Sequence, residues 1–189
     1  MTAVSNHRLT RSYFLQDVLQ VARSLPGKYL VMQNSDQVHR YMITDVEAYR
    51  GEEDQASHAR RGMTPRTRIM YQQGGLLYIY LIYGMHWMLN VVAGPPGEPQ
   101  AILIRGLRSV NGPGRLTRQL GIDNTYNEED LIFSSRIWLE DHQVSQSKII
   151  TRPRVGIDYA GKEWREKPWR FILQDDQSKR TGSEGLTAG

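Results

Sequence analysis

The residues from Leu77 to Val92 constrain the fold of this chain more than any other stretch. Two runs rich in aromatic and β-branched residues flank Tyr83-Gly84, and this pattern predicts a β-hairpin with glycine at the bend. Successive strand side chains point to opposite faces. The first strand should therefore have an aliphatic face, Leu77, Ile79 and Leu81, and a second face, Tyr78, Tyr80 and Ile82. The aliphatic face suits a core. The tyrosine face suits either a hydrogen-bonded core or contact with a flat ligand, and the pattern by itself favours the core.

Length and composition predict one globular domain and exclude several kinds of chemistry. The chain has 189 residues, 39% of them hydrophobic and 23% charged, which is ordinary for a globular protein. It contains no cysteine, so disulfides, iron–sulfur clusters, thiolate nucleophiles and cysteine-bound zinc are excluded. No secretory signal or membrane-spanning run is recognisable. We therefore expect a cytoplasmic, nucleoid-associated location, or a nuclear one in a eukaryote, and no membrane partner.

The distribution of positive charge suggests an anionic partner. The net charge is only +4, which is weak evidence by itself. Arginines, however, crowd both sides of the hairpin in sequence: Arg50, Arg60, Arg61, Arg66 and Arg68 before it, and Arg105, Arg108, Arg115 and Arg118 after it. A nucleic acid is one partner that such a distribution would fit.

The remaining pattern predicts an α+β fold around a mainly antiparallel sheet with flanking helices. We expect helices over residues 14–25 and 112–121, a helical turn over 127–133, and strands over 29–32, 39–46, 101–107, 136–139, 154–158 and 169–173. Residues 44–58 should leave regular structure. The ordered core should span about residues 9–173 of a single domain covering 1–189, with a flexible tail over 174–189.

Carboxylates are densest between Asp45 and Asp54. Glu47 lies between Val46 and Ala48, and such surroundings could desolvate it and raise its pKa, which suits a general base. A surface salt bridge to an arginine is an equally good interpretation. For Glu52, Glu53 and Asp54 we expect a solvated helix start.

Histidines offer no spacing that is typical of a metal site. His58 has no companion in an HxxxH or HxH pattern, so a satisfied or solvent-facing histidine is the first interpretation and an aromatic contact with a ligand the second. The sequence also contains no glycine-rich phosphate loop, GxSxG elbow or dinucleotide fingerprint. We expect no metal and no cofactor.

Several motifs in the same order resemble the alkyladenine (3-methyladenine) DNA glycosylase family of the mixed α/β type. The resemblance runs from about Leu9 to Leu173. It is carried by Val46-Glu-Ala-Tyr-Arg-Gly51, Thr64-Pro-Arg-Thr-Arg68, Leu77-Tyr-Ile-Tyr-Leu-Ile-Tyr-Gly-Met85, Asn90, Ala101-Ile-Leu-Ile-Arg105, Gly112-Pro-Gly-Arg-Leu116 and Arg154-Val-Gly-Ile157.

The resemblance implies a monomeric hydrolase that removes damaged purines from double-stranded DNA. It implies a curved sheet with a protruding hairpin that enters the minor groove, and a nucleotide flipped out of the duplex. Glu47 matches the general base, and Arg105 and the main chain of Val155 match groups that hold the attacking water. Lysines are absent from the matching motifs, so no lyase activity through a Schiff base is expected.

The resemblance also implies roles in substrate and DNA binding. Tyr49, His58 and Tyr80 match the walls that stack on the flipped base, and Asn90 matches a residue that crowds the 2-amino group of guanine. Tyr83 matches the side chain that fills the gap in the base stack. We expect further DNA contacts from Met85, Arg60, Arg66 and Arg68.

Two other functions remain open at this stage. A non-catalytic binder of damaged nucleic acid could use the same hairpin as a stacking platform. A carbohydrate-active hydrolase could use Glu47 together with Asp45 or Glu52, although this reading rests on paired carboxylates alone.

Overall fold

The computed structural model describes residues 7–35, 37–143 and 148–174. Within these ranges nine strands form the sheet: β1 Tyr29–Asn34, β2 Gln37–Arg50, β3 Leu77–Ile82, β4 His86–Val92, β5 Gln100–Leu107, β6 Val110–Asn111, β7 Ile137–Glu140, β8 Ile149–Arg152 and β9 Arg170–Leu173. Four α-helices accompany them: α1 Arg11–Phe14, α2 Val18–Ser24, α3 Pro113–Leu120 and α4 Lys162–Glu166. Four short 3-10 helices lie in the connections: His58–Arg61, Arg68–Tyr71, Asn124–Tyr126 and Asp158–Ala160.

Every pairing within the sheet is antiparallel. The main path runs β3-β4-β5-β2-β1-β7, with β6 paired to β5, β9 to β2, and β8 to β9. This architecture confirms the predicted α+β class. Among the helices of the described ranges, none is both long and apolar enough to span a membrane.

Strand β2 holds the sheet together because it has different neighbours along its length. Its first half pairs with β1, whereas its second half pairs with β5 on one side and β9 on the other. The register of β2 against β5 shifts on both sides of Asp45, close to where β2 changes from pairing with β1 to pairing with β5. The strand predicted over 39–46 is therefore longer than expected, and the prediction that residues 44–58 leave regular structure was wrong as far as Arg50. Residues as far as Arg50 stay extended because β5 and β9 supply their backbone hydrogen bonds.

The core lies where α2 and α3 pack on the sheet. Buried aliphatic side chains from these elements, including Val21, Ile43, Ile104 and Leu116, form one continuous cluster. The helix predicted over residues 14–25 is interrupted, since α1 ends at Phe14 and α2 begins at Val18. The cause is local: the Asp17 carboxylate accepts a hydrogen bond from the Leu19 amide at 2.9 Å and caps a new helix.

The hairpin predicted around Tyr83-Gly84 forms from β3 and β4, with Ile82 paired to His86 on either side of the bend. Leu77 and Ile79 are buried as predicted, but Leu81 is 39% exposed and does not anchor the core. The predicted alternation of faces holds for Leu77 and Ile79, whereas Leu81, next to the bend, is only partly covered. Entry of this hairpin into DNA stays a prediction.

Two shorter elements lie elsewhere than predicted. The strand predicted over residues 154–158 is β8, Ile149–Arg152, which pairs with β9, and the following residues form a loop. Gly156 in that loop has φ +73°, a conformation that does not continue a strand. In place of a helical turn over 127–133, a 3-10 helix ends at Tyr126 and turns follow. The predicted tail lies outside the described residues after Gln174.

Candidate active site

The Glu47 carboxylate lies at the centre of the candidate site. It is fully buried on β2, and three donors surround it. The Val155 amide donates to Oε1 at 2.8 Å, the Tyr49 hydroxyl donates to Oε2 at 2.9 Å, and Nη1 of Arg105 lies 3.4 Å from Oε2. The structure therefore brings together all three residues that were predicted as catalytic, from strands and a loop far apart in sequence.

Burial sets the acidity of this carboxylate. Loss of water raises the pKa of Glu47, while Arg105, the Val155 amide and the Tyr49 hydroxyl oppose that rise, and the charge of Asp45 adds to it. A carboxylate with a raised pKa is a stronger base than a solvated one and can take a proton from water. The contact with Arg105 is an ion pair, but it lies inside the protein, so the interpretation of Glu47 as a surface salt bridge was wrong.

The sheet explains why these groups meet. Glu47 and Tyr49 are two residues apart on β2 and so share a face. Glu47 is paired with Leu103 on β5, which places Arg105 two residues further along the same neighbouring strand. Asp45 binds Arg170 through two nitrogens, the shorter contact being 2.7 Å, and its Oδ2 lies 3.9 Å from Nε of Arg105.

The third donor comes from the loop after β8. The side chain of Val155 is 48% exposed, so the residue contributes its backbone rather than its packing. Gly156 follows with φ +73° and has open space where a Cβ would lie, so it is the backbone conformation that favours glycine there. This turn aims the Val155 amide at Glu47.

A buried ion pair behind the carboxylate was missed in the sequence. Arg154 binds Asp54 in a two-pronged contact, with Nη1–Oδ2 at 2.5 Å and Nη2–Oδ1 at 2.8 Å. Both side chains are fully buried, so the expectation that Asp54 belongs to a solvated helix start was wrong. No spacing rule could have paired two residues that are 100 positions apart.

Three aromatic side chains form a cluster beside the carboxylate. The His58 ring lies 4.6 Å from the Tyr80 ring, centre to centre, at 70°, and Tyr78 lies 5.1 Å from Tyr80. Tyr78 was not predicted as a site residue; its hydroxyl is 2.9 Å from Nδ1 of His58 and orients that ring. Burial raises the pKa of Tyr80, and among the nearby charges that add to this rise is Glu47. The carboxylate and the aromatic cluster therefore share one site.

His58 carries no charge at neutral pH. Burial, followed by the positive charges of Arg66 and Arg60, lowers the pKa of His58 to about 4. Its ring is thus a neutral, flat surface. No group of three or more His, Asp or Glu side chains within the described ranges could hold a metal ion with it.

Asn90 lies on β4 directly opposite Tyr78 and is buried. Its Nδ2 donates to the carbonyl oxygens of Tyr78 at 3.0 Å and Met88 at 3.3 Å. These two bonds fix the orientation of the amide next to the aromatic cluster.

The three arginines predicted to bind DNA have different surroundings. The Arg66 guanidinium lies 4.9 Å from the centre of the Tyr80 ring, and its Nε is 3.3 Å from the Tyr78 hydroxyl. Arg60 lies 5.2 Å from the ring centre of Tyr159, an exposed tyrosine that was not predicted. Arg68 is instead paired on the surface with Glu128, at 2.7 Å.

The tip of the hairpin presents two large apolar side chains to solvent. Tyr83 is 83% exposed and Met85 is also exposed. The Met85 amide donates to the Ile82 carbonyl at 3.1 Å, which closes the turn, with Tyr83 at φ +52° and Gly84 at φ +66°. A left-handed conformation costs a non-glycine residue about 1–2 kcal/mol. The chain therefore holds Tyr83 outward at some cost in stability.

The buried Glu47 carboxylate and the aromatic cluster of His58, Tyr78 and Tyr80 together form the candidate site. Comparison with known proteins makes the assignment more precise. The profile of the family described as Methylpurine-DNA glycosylase (MPG) matches two overlapping segments, residues 12–111 and 106–177. The chain belongs to the methylpurine-DNA glycosylase family, and the resemblance found in its motifs is confirmed.

Bacterial relatives match most of the chain. A protein of Anaeromyxobacter dehalogenans strain 2CP-C is 40% identical over 174 residues, which covers 88% of this chain and 84% of the relative. One of Desulfitobacterium hafniense strain Y51 is 41% identical, covering 90% and 97%, and one of Legionella pneumophila strain Corby is 37% identical, covering 89% and 96%. All three carry the name "Putative 3-methyladenine DNA glycosylase".

Proposed function

We propose that the protein is a monofunctional DNA glycosylase that hydrolyses the N-glycosidic bond of alkylated purines. The purine would be flipped out of double-stranded DNA to reach the site. The observation that carries the proposal is the buried Glu47 carboxylate, held by three donors next to the ring cluster of His58 and Tyr80. Family membership and the names of the bacterial relatives support it.

The chemistry of alkylated purines suits this set of groups. A base such as 3-methyladenine carries a positive charge, so its bond to the sugar is already weak. The reaction then needs a placed water and a negative charge near the oxocarbenium-like transition state. Glu47 can supply both, as a base towards the water and as a charge towards the sugar.

Aromatic walls can bind the same cationic base. Tyr49, Tyr80 and His58 offer flat faces, and a cation over a tyrosine ring gains about 0.5–2 kcal/mol. His58 is neutral at pH 7, so it does not repel a positive charge. Deaminated and etheno purines would stack as well, and we include them as possible substrates. Asn90, fixed by Tyr78 and Met88, would bias the pocket against guanine.

Contacts to the duplex would come from the hairpin and the arginines. Tyr83 would fill the gap left by the flipped base, and such wedges compensate an unstacking cost of a few kcal/mol. Met85 lies beside it in the turn. Arg60 and Arg66 lie on the side of the aromatic cluster, and Arg68 would have to exchange Glu128 for a phosphate.

The groups around Glu47 favour simple hydrolysis. A lyase step would need an amine that forms a Schiff base with the sugar. The donors that contact Glu47 are an arginine, a tyrosine and a backbone amide, and none of them is such an amine. Borohydride should therefore trap no covalent complex with DNA.

Single-turnover excision tests the proposal directly. The wild-type protein and a Glu47→Gln variant would be compared on duplexes that differ only in one base: 3-methyladenine, 7-methylguanine, hypoxanthine or ethenoadenine. We expect the wild type to release at least one alkylated base and the variant to be at least about 100-fold slower, as for the loss of a general base. Equal rates would refute the role of Glu47.

The melting temperature of the same variant serves as the control. Because burial of its charge is unfavourable, Glu47→Gln should melt no lower than the wild type at neutral pH. A wild-type protein that binds damaged duplexes tightly but releases no base would support the non-catalytic binder instead.

A further inference from the structure

Arg154 connects three parts of the site without lying on its surface. Its guanidinium is fully buried and makes the two-pronged contact with Asp54. Asp54 in turn accepts hydrogen bonds from the amides of Arg50 at 3.1 Å and Ala56 at 3.0 Å. This carboxylate therefore shapes the segment that leads from β2 to His58.

The same guanidinium also holds strand β2. Its Nη1 donates to the carbonyl oxygen of Ala48 at 2.9 Å, and Ala48 is the residue between Glu47 and Tyr49. The guanidinium lies 4.8 Å from the centre of the Tyr49 ring and 5.0 Å from that of Trp169. It thus supports Tyr49, one of the aromatic walls, from within the protein.

The third connection runs through the backbone. The amide that donates to Glu47 at 2.8 Å belongs to the peptide bond between Arg154 and Val155. Because the Arg154 side chain is anchored, the orientation of this peptide is restricted on one side, and Gly156 at φ +73° turns the chain on the other. The direction of the Val155 N–H therefore depends on the anchor.

Stability alone does not explain why such a pair is buried. Removing charges from water is costly, and buried ion pairs are often replaced by apolar side chains without loss of stability. A buried ion pair can instead fix several groups in one specific arrangement. Here those groups are the Val155 amide, the Ala48 carbonyl and the Tyr49 ring.

We propose that Arg154, held by Asp54, is a positioning residue that aligns the Val155 amide and the Tyr49 ring on the Glu47 carboxylate. It acts on cleavage of the glycosidic bond and not on binding of the duplex. This inference rests on the proposed glycosylase function. Arg154 itself would touch neither the base nor the water.

The pH dependence of cleavage distinguishes this role from simple structural support. The Val155 amide and the Tyr49 hydroxyl both lower the pKa of Glu47, against the effect of burial. If they lose their alignment, the carboxylate becomes easier to protonate. The midpoint at which the rate falls towards acid pH should therefore lie at a higher pH than in the wild type. A variant that is merely less stable lowers the folded fraction, which circular dichroism measures at each pH, and its rate per folded molecule keeps the wild-type midpoint.

Arg154→Lys and Asp54→Asn test the proposal. Lysine keeps the charge but has no planar fork, and asparagine keeps the shape of aspartate without its charge. Single-turnover release of 7-methylguanine from a duplex would be measured across the acid and neutral range, together with the dissociation constant of that duplex. We expect the maximal rate to fall about 10- to 100-fold with the acid midpoint displaced upward. The dissociation constant should stay within about threefold.

Glu140→Gln is the matched control. Glu140 is another fully buried carboxylate bonded to an arginine, Arg40, at 2.8 Å, but it lies on β7 and does not contact Glu47 or its donors. It should lower stability without moving the acid midpoint. The double variant Arg154→Lys/Asp54→Asn should be no slower than the slower single variant, since both act through one unit.

The outcomes separate the two proposals. A wild-type protein without excision activity would refute the proposed function. An active wild type, with folded Arg154→Lys and Asp54→Asn variants that keep its rate and midpoint, would overturn the positioning role. So would a loss of duplex binding as large as the loss of rate, because the effect would then lie on binding. Circular dichroism establishes the folded fraction, and the two conservative variants avoid the larger defect expected of Arg154→Met.

Discussion

At the scale of single residues, burial shifts the pKa values of Glu47 and His58 in opposite directions, because it disfavours the charged form of each. Glu47 is buried with donors that favour its charge, yet burial is the larger effect and its pKa is raised. The native state therefore takes up this proton more readily than the unfolded chain. Stability falls as pH rises from the ordinary glutamate range through the raised pKa, because the native carboxylate must then be charged. The charged form of Glu47 therefore lowers the stability of the native state.

His58 leads to a prediction about protonation. Its ordinary pKa of 6.5 is lowered to about 4 by burial and two arginines. Between these values the unfolded chain binds a proton that the native state does not, so stability should decrease as pH falls from 6.5 towards 4. NMR titration of the imidazole should give a midpoint near pH 4, with His58→Gln used to assign the signal. A midpoint at or above 6.5 would contradict the burial of a neutral ring.

At the scale of elements, the hairpin shows where a pattern is sufficient and where it is not. Alternation placed Leu77 and Ile79 in the core and Tyr80 on the other face, and this is what the structure has. It did not reveal that Leu81, on the same face of the strand, is 39% exposed. Alternation decides which face a side chain lies on, whereas cover depends on the elements that pack against that face.

Tyr83 can be separated from the fold by mutation. Tyr83→Ala should weaken binding to a damaged duplex at least about tenfold, since a wedge offsets a few kcal/mol of unstacking. The melting temperature should stay nearly unchanged, because the ring is 83% exposed and its left-handed backbone is strained. Affinity measurements and thermal melts would check the two parts.

Phe133→Ala provides the comparison for the hairpin tip. Phe133 is 81% exposed, almost as much as Tyr83, but lies in a turn whose backbone binds Arg8 rather than in the hairpin. Its removal should leave DNA affinity unchanged. If both variants weakened binding equally, or if Tyr83→Ala alone lowered the melting temperature strongly, Tyr83 would not be a wedge.

At the scale of the whole molecule, positive charge is modest in amount but specific in place. The net charge is +4, so non-specific attraction to DNA should be limited. Arg60 and Arg66 lie over tyrosine rings at the candidate site, whereas Arg68 is neutralised by Glu128. The location of the arginines therefore matters more than their number.

Salt dependence should reveal this difference. Each phosphate that an arginine neutralises contributes about −0.9 to the slope of log affinity against log salt. Arg60→Ala should make the slope shallower by about 0.9, the contribution of one phosphate contact. Arg68→Ala should change the slope by less, because the charge of Arg68 is already paired with Glu128. Titration of duplex DNA over a salt series measures both slopes. A flat series for the wild type would contradict docking through phosphates.

The order of the family motifs predicted the residues of the candidate site more accurately than hydrophobic periodicity predicted the bounds of the helices and strands. Glu47, Arg105 and Val155 were predicted from the order of the motifs, and the structure brings them within hydrogen-bonding distance. Regular structure beyond Val46 was not predicted, because its hydrogen bonds come from two strands that follow later in the chain. A window of sequence contains no record of such partners.

The sequence by itself determined the α+β class, the hairpin and the set of residue types at the site, since these depend on local alternation, turn residues and ordered motifs. Only the tertiary structure decided which of these groups touch. The Arg154–Asp54 pair, the orienting contact of Tyr78 with His58, and the pairing of Arg68 with Glu128 join residues 20 to 100 positions apart. Burial, and with it the acidity of Glu47 and His58, depends on the same long-range packing. A local sequence pattern cannot specify it.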